Sequence, residues 1–209
     1  MRTLAVLTGA LVASLAAAGC GGSSKHSAST SRAPTTTAAA SAPSTTEQSP
    51  DALQAEAQSA ATGDIPDNQA FVVFTDARSG YAMKYPEGWA LKGGGKRVVI
   101  RDKNNIIRVL VQRGSLPTTA AVSNSVAALR GTRIETPPRP FRLPSGAAIK
   151  IVYSTESAPN AVTGKRVRLM VDRYYLAQGG REAIVDLGTP QGVDNVDAYR
   201  LMIESFHWS

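Results

Sequence analysis

Gly80-Tyr-Ala-Met-Lys-Tyr-Pro-Glu-Gly-Trp89 is the stretch on which the fold turns. Tyr81, Met83 and Tyr85 alternate with other residues, so they share one face of an extended strand. Pro86 has no N–H to offer a ladder and ends the strand, with Gly88 in the turn that follows. Gly80 suits the turn before it, and Trp89 is placed to pack over the strand's edge. Large aromatics at strand ends usually belong to a core, so Tyr81, Tyr85 and Trp89 are read as core residues in preference to ligand-stacking ones.

The same grammar continues C-terminally. Residues 97–101 and 106–112 form two strands, joined by a hairpin turn at Asp102-Lys-Asn-Asn105. In the second, Ile107, Val109 and Val111 share a face. Pro117-Thr118 opens a helix in which Val122, Val126 and Leu129 have helical spacing, and Gly131 can end it. A proline-rich stretch, Pro137-Pro-Arg-Pro140, leads into a strand over 147–154 with Ile149, Ile151 and Tyr153 on one side. Val167, Leu169 and Val171 mark the next strand, with Arg166 and Arg168 opposite. Gly179-Gly180 turns the chain into a strand over 182–187. Asp194 is expected to cap a final helix, with Asp197 near its positive end and Val196, Tyr199, Ile203 and Phe206 as its buried stripe. Strands, helix, strands, helix with hairpin-length links predict the α+β class: an antiparallel sheet with helices packed on it.

The first 63 residues are different. Met1-Arg2 gives a positive start, and residues 4–18 are apolar or small, shorter than the roughly 20 residues a spanning helix needs. That pattern predicts an export signal over residues 1–19. It ends Ala17-Ala18-Gly19-Cys20, which resembles the lipobox of bacterial lipoproteins. There the cysteine takes a diacylglycerol and becomes the first residue of the mature chain. Ala17 stands where the common lipobox has leucine. Cys20 is the sole cysteine of the chain, so no intramolecular disulfide can form, and lipidation accounts for a thiol left over in an exported protein. Residues 21–63 are rich in Ser, Thr, Ala and Pro, with Leu53 the one large aliphatic residue and no aromatic. Such a segment cannot offset the entropy of ordering. It is expected to be a disordered tether spanning roughly 35 Å. The folded domain is expected over 64–209.

The decapeptide at 80–89 is similar to the "GY-x-(I/M)-x-(Y/F)-P-x-GW" signature of PsbP-like domains. The closing stretch Tyr199-Arg-Leu-Met-Ile-Glu-Ser-Phe206 resembles that family's last helix. The resemblance covers roughly residues 70–209. It implies an α/β/α sandwich around a central antiparallel sheet. Together with the lipobox and tether, it makes the chain look like an actinobacterial lipoprotein. Both motifs are structural, and members of the family are accessory or binding proteins, so what the resemblance implies is a non-catalytic module.

Chemistry-bearing residues are sparse. The two histidines, His26 and His207, are too few for a metal centre or a histidine-dependent triad. Gly93-Gly-Gly-Lys96 lacks phosphate-loop spacing and is followed by a strand, so it is read as a hairpin turn. Glu182, Asp186 and Asp172 are candidates for a carboxylate pair, but cross-strand salt bridges with Arg166, Arg168 or Arg173 are preferred. No catalytic residue, metal or cofactor is expected. An enzyme would need an unrecognised carboxylate or Ser/Thr site, and a carrier of a lipid or other apolar ligand would need a Tyr-, Ile- and Val-lined cavity between sheet and helix.

Net charge is +7, and all of it lies from residue 64 onward, with 20 Lys and Arg against 13 Asp and Glu. Lys96 and Arg97, and Lys165, Arg166 and Arg168, are the densest clusters. They are either solvated edge charges or contacts to anionic lipid or cell-wall polymer. The expected location is the extracytoplasmic face of the cell membrane, reached through Cys20, with an envelope protein as a further partner. Nucleic acid is excluded by the compartment.

Overall fold

The computed structural model describes residues 63–159 and 164–209. The export signal, Cys20 and the tether through residue 62 lie outside the described residues. Twelve elements follow one another along the described chain. They are β1 (Phe71–Asp76), β2 (Tyr81–Pro86), β3 (Ala90–Gly94), β4 (Arg97–Asp102), β5 (Asn105–Arg113), α1 (Thr119–Ala127), β6 (Arg133–Leu143), β7 (Gly146–Glu156), β8 (Arg168–Gln178), β9 (Arg181–Pro190), α2 (Val196–Glu204) and β10 (His207–Trp208).

Seven strands form one antiparallel sheet in the order β3-β4-β5-β9-β8-β7-β6. Period-two alternation gives it two buried faces. On one face Val98, Ile100, Ile107, Val109, Val111, Tyr174, Leu176, Ala183, Val185 and Leu187 pack against Tyr199, Met202 and Ile203 of α2. On the other face Ile106, Ile149, Ile151, Tyr153, Leu169, Val171 and Tyr175 pack against Val122 and Val126 of α1. The two helices thus cover opposite faces, and the expected α+β sandwich on an antiparallel sheet is what the chain forms.

The deciding decapeptide lies outside that sheet. β2 pairs with β1 on one side and β10 on the other, making a separate three-stranded sheet in the same layer as α2. Tyr81 and Met83 are buried, and Tyr85 packs against the same core. Tyr81 stacks on Phe206 at 5.6 Å between centroids, and Trp208 meets Phe206 edge-on at 5.3 Å. Gly80 has φ +66°, a conformation glycine adopts without strain. Its carbonyl accepts from the Ser209 N–H and, with Ser79, from the Arg181 guanidinium. Arg181 also lies 4.8 Å over the Trp208 ring, so one side chain joins β9 to the β1–β2 turn and to β10 at one end of the small sheet.

Asp76 supplies a second joint. Its carboxylate accepts from the Ser79 N–H at 2.8 Å and from the Gly95 N–H in the β3–β4 turn. Burial alone would raise its pKa, but the backbone N–H groups of Ser79, Gly95 and Arg78 outweigh it and hold the carboxyl below its ordinary value. A carboxylate with a lowered folded pKa stabilises above its unfolded pKa, near 3.9, and that stabilisation is lost as pH falls through the folded value. Asp76→Ala is therefore expected to melt below wild type at pH 7, with the gap closing as pH drops beneath the carboxylate range. Parallel thermal melts of the two proteins from pH 7 downward check this, and a gap independent of pH would contradict it.

Four local expectations are corrected. The proline-rich stretch does not merely lead into a strand. It is part of β6, the outermost strand of the large sheet, with register shifts between Ile134 and Thr136 and between Thr136 and Arg139. Proline lacks a ladder donor and is tolerated at an edge, where one side of the strand needs no partner. Leu129 lies past the C-cap Ala128 of α1 and is exposed. Val196 is 69% exposed, and Met202 is fully buried instead, so the buried face of α2 is Tyr199, Met202 and Ile203. Asn195, rather than Asp194, occupies the N-cap position of α2, although the Asp194 carboxylate accepts from the Val196 N–H at 3.2 Å.

Asn195 is committed elsewhere. It is buried, its Oδ1 accepts from the Ile65 N–H at 2.8 Å, and its Nδ2 donates to Thr189 Oγ1 at 2.8 Å, Gly63 O at 3.1 Å and Asn105 Oδ1 at 3.3 Å. Asn105 Nδ2 also donates to Gly63 O at 2.6 Å. These bonds fasten the first described residues to β5, β9 and the start of α2. No helix among the described residues is long and apolar enough to cross a membrane.

Candidate functional site

Most of the eight sequence-predicted site residues stand in bonded or packed positions. Tyr81 and Trp89 are core side chains, with Tyr85 half-buried against them. Arg168 donates to Glu156 Oε1 at 3.4 Å and to Ser154 Oγ at 2.8 Å. Arg166, just before β8, donates to the Ser157 carbonyl at 2.7 Å, Lys165 precedes it, and Lys96 and Arg97 sit at the β3–β4 turn.

The two basic clusters are not one patch. Arg97 is in register with Leu110, Ile184 and Tyr175 across the sheet, and Tyr175 lies seven residues along β8 from Arg168. At about 3.4 Å per residue that separates the clusters by about 24 Å along the strands.

Nor do the three carboxylates converge. Asp172 lies on the α2 face, where Lys150 Nζ holds it at 2.6 Å and the Tyr174 hydroxyl donates to it at 3.4 Å. Burial, then the charge of Asp172, raise the Tyr174 pKa. Asp186 lies on the α1 face, and Glu182 is four residues away, accepting from Gln112 Nε2 at 2.7 Å. Among the described residues no three His, Cys, Asp or Glu side chains come together as a metal site.

Among the described residues the fold builds a cavity that reading along the chain missed. It has a volume of about 530 Å³ and opens on the α1 side of the large sheet, at the end where β4 turns into β5. Arg101 from β4, Lys103 from the turn, Arg108 from β5, Arg130 from the α1–β6 connection and Arg173 from β8 line it. Glu156 is the one acidic residue among the described lining residues, and Arg168 already pairs with that carboxylate. Ile106, Leu129 and Leu169 supply an apolar wall.

Asp186 underlies this floor. Arg173 Nε and NH2 donate to its two oxygens at 2.5 and 2.9 Å, a two-pronged pair between adjacent strands in register. Arg108 Nε stands 3.1 Å from Asp186 Oδ2, at ion-pair distance but not aligned for a hydrogen bond. Arg173 NH2 also donates to the Tyr153 hydroxyl at 3.1 Å. Burial pushes the Tyr153 pKa up, helped by the Asp186 charge, to about 12, so its hydroxyl stays protonated at neutral pH. Burial alone would lower the Arg173 pKa, but the hydrogen bonds and charge of Asp186 outweigh it and raise the value. Arg173 is therefore a cation held in place by Asp186 and Tyr153, with the Arg108 guanidinium beside the same carboxylate. Arg101 and Arg130 have no hydrogen-bond or ion-pair partner among the described residues.

As chemistry, the described lining residues offer charge and hydrogen-bond donors. Ser157 is one of them, yet its hydroxyl donates to the Ala158 carbonyl at 2.8 Å and accepts from the Val167 N–H at 3.0 Å. Val122, Val126, Ile149, Ile151 and Tyr175 form a buried apolar cluster between α1 and the sheet. One signal of the cavity was present in the sequence. Arg108 and Arg173 each interrupt the inward-facing side of an otherwise apolar strand, the first beyond Ile106 and the second between Val171 and Tyr175.

No family model matches the chain, and no curated protein does. Among solved structures it is similar to the cyanobacterial PsbP protein CyanoP of Synechocystis, at 16% identity and a TM-score of 0.47, over 70% of this chain and 98% of that one. It is also similar to the Ran-binding protein Mog1p of Saccharomyces cerevisiae, at 10% identity and a TM-score of 0.44, over 68% and 96%. LpqN of Mycobacterium tuberculosis, described as involved in cell envelope biogenesis, is similar at 14% identity and a TM-score of 0.36, over 68% and 85%. The α+β architecture of this chain is set by its own strand order and its two cores, and no residue role passes to it from these proteins.

Proposed function

We propose that the chain is a non-catalytic binding module, held at the extracytoplasmic face of a bacterial cell membrane by a diacylglycerol on Cys20. The observation that supports binding is the arginine-lined cavity, in which Arg173 is fixed by Asp186 and Tyr153 and the Glu156 carboxylate and Ser157 hydroxyl are already bonded. The anchor rests on Ala17-Ala18-Gly19-Cys20 at the end of an apolar leader and on the absence of any second cysteine. Two acyl chains suffice for stable attachment where one does not. A tethered basic domain then works close to anionic lipid or cell-wall polymer and to envelope proteins.

The anchor is tested by detergent-phase partitioning of the full chain expressed in a bacterial host. Wild type is expected in the detergent phase with Cys20 as a diacylglyceryl-modified N-terminus, and Cys20→Ser in the aqueous phase. A wild-type chain found in the aqueous phase with a free thiol would refute it. For binding, a photoreactive residue is placed at 103 or 130 on the cavity rim, with position 87 in the β2–β3 turn as the control. Crosslinking in intact cells is expected to give a discrete adduct from the rim alone. Silence from both rim positions would sink the binding reading.

A further inference from the structure

Resting on the binding-module reading, we propose that the cavity floored by Arg108 and Arg173 takes a phosphate-bearing group. Five basic side chains from separate parts of the chain meet around one space, against a single acidic lining residue. Asp186 behind the floor offsets one further charge, so the cavity keeps a clear positive excess. A neutral sugar or an apolar chain would gain nothing from that excess. A monocarboxylate would occupy one guanidinium fork. A phosphate presents several oxygens in different directions and can be met by several forks at once.

The donors are also divided in a way that suits an incoming anion. Arg173 is 13% exposed and fixed by Asp186 and Tyr153, so its orientation costs nothing at binding. Arg101 and Arg130, unpartnered among the described residues, are exposed at the opening, where they can close on the ligand. A volume of about 530 Å³ holds more than a bare anion, within the range of small-ligand pockets. The wall of Ile106, Leu129 and Leu169 is then available to whatever the phosphate esterifies. The shared chemistry admits two sources: the headgroup of a membrane phospholipid or a soluble phosphate ester.

The test uses the full chain carrying Cys20→Ser, so that no acyl chain confers membrane binding. In one arm glycerol 3-phosphate is titrated in while backbone amide shifts are followed by NMR. In the other, the protein is co-sedimented with phosphatidylglycerol or phosphatidylcholine vesicles. The proposal expects binding in at least one arm, with shifts in the soluble arm centred on Arg101, Arg108, Arg130 and Arg173. The pair Arg101→Gln and Arg130→Gln is expected to weaken it about a hundredfold, roughly tenfold for each lost charge-assisted contact. The pair Arg113→Gln and Arg142→Gln, exposed residues outside the cavity, is expected to leave it within about twofold of wild type, the range of a rim charge lost at a distance.

All four positions are exposed, and an unchanged melting temperature confirms that each variant is folded. Binding of glycerol 3-phosphate assigns the soluble ester as sufficient. Binding only to phosphatidylglycerol vesicles, still lost with Arg101→Gln and Arg130→Gln, assigns the headgroup. No binding in either arm, or binding indifferent to that pair, overturns the phosphate assignment. A discrete rim crosslink in cells alongside that result would leave the binding-module reading standing, whereas a silent rim would remove both.

Discussion

Asp186→Ala is expected to lower stability by about 3–5 kcal/mol, the cost of leaving a buried charge without its partner. For a folded part of roughly 145 residues that corresponds to a fall of about 10–15 °C in melting temperature. The side chain is 5% exposed and is the counter-charge to both Arg173 and Arg108. Without it, two guanidiniums share one part of the sheet face with no anion between them. Arg173 has no escape by losing its proton, since a guanidinium is charged at any pH a folded protein meets. The double variant Asp186→Leu with Arg173→Met removes both members of the pair and is expected to recover most of the loss, because a packed apolar pair avoids the desolvation cost. Calorimetry of the three proteins at pH 7 decides the matter. A single variant within 1 kcal/mol of wild type would show that the pair contributes little.

The second large effect is expected at Asn195. Asn195→Leu keeps the branched heavy-atom shape and removes four hydrogen bonds, those to Ile65 N–H, Gly63 O, Asn105 Oδ1 and Thr189 Oγ1. Gly63 O retains its bond from Asn105. The other groups are left buried and unpaired, each at a cost of about 1–3 kcal/mol before relaxation. A net loss of about 3 kcal/mol is expected, smaller than the sum because the segment at Gly63–Ile65 can lift away and hydrate. That release has its own signature in hydrogen exchange. The Ile65 amide is expected to lose protection in Asn195→Leu while amides in the centre of β8 and β9 keep theirs. Equal loss everywhere would mean that Asn195 supports the whole fold and does not pin the chain's point of departure.

Much of the fold was legible because it is written locally. Asp102 and Asn105 pair across their turn, and Gly94 pairs with Arg97, as the glycine run predicts. Thr118 caps α1, its hydroxyl accepting from the Ala121 N–H at 3.2 Å. Turn residues and alternation depend on neighbours within a few positions, so a single sequence carries them. β1 and β10 were not read from the sequence at all, and three further elements were only partly legible. β6 carries three prolines, whose tolerance depends on the strand being outermost, a property of the sheet and not of the segment. β8 runs to Gln178, well past the Val167–Val171 pattern, because Tyr174, Tyr175 and Leu176 are buried on both of its faces and show no alternation. The strand at 81–86 has the predicted face but not the predicted place. Nothing within it tells a strand of the large sheet from one paired with β1 and β10.

The candidate site was hardly legible at all. The basic clusters that stand out in the sequence, at residues 96–97 and 165–168, mark opposite ends of the sheet and are partly absorbed in local bonds. The arginines that do come together are scattered over roughly 70 residues of chain, from Arg101 to Arg173. Clustering along a chain and clustering in space coincide only where contacts are short-range, and here they are made across antiparallel strands in register.

By itself, then, the sequence determined the α+β class, the hairpins, the positions of both helices and the expectation of a lipid anchor at Cys20. All of these rest on patterns a few residues long. Only the tertiary structure decided that the strand of the opening decapeptide belongs to a second sheet, that Asn195 fastens the start of the domain, and that Arg101, Arg108, Arg130 and Arg173 enclose one cavity. Each of those depends on which distant strands pair and in what register, and one residue of slip would send Arg108 and Arg173 to the opposite face of the sheet.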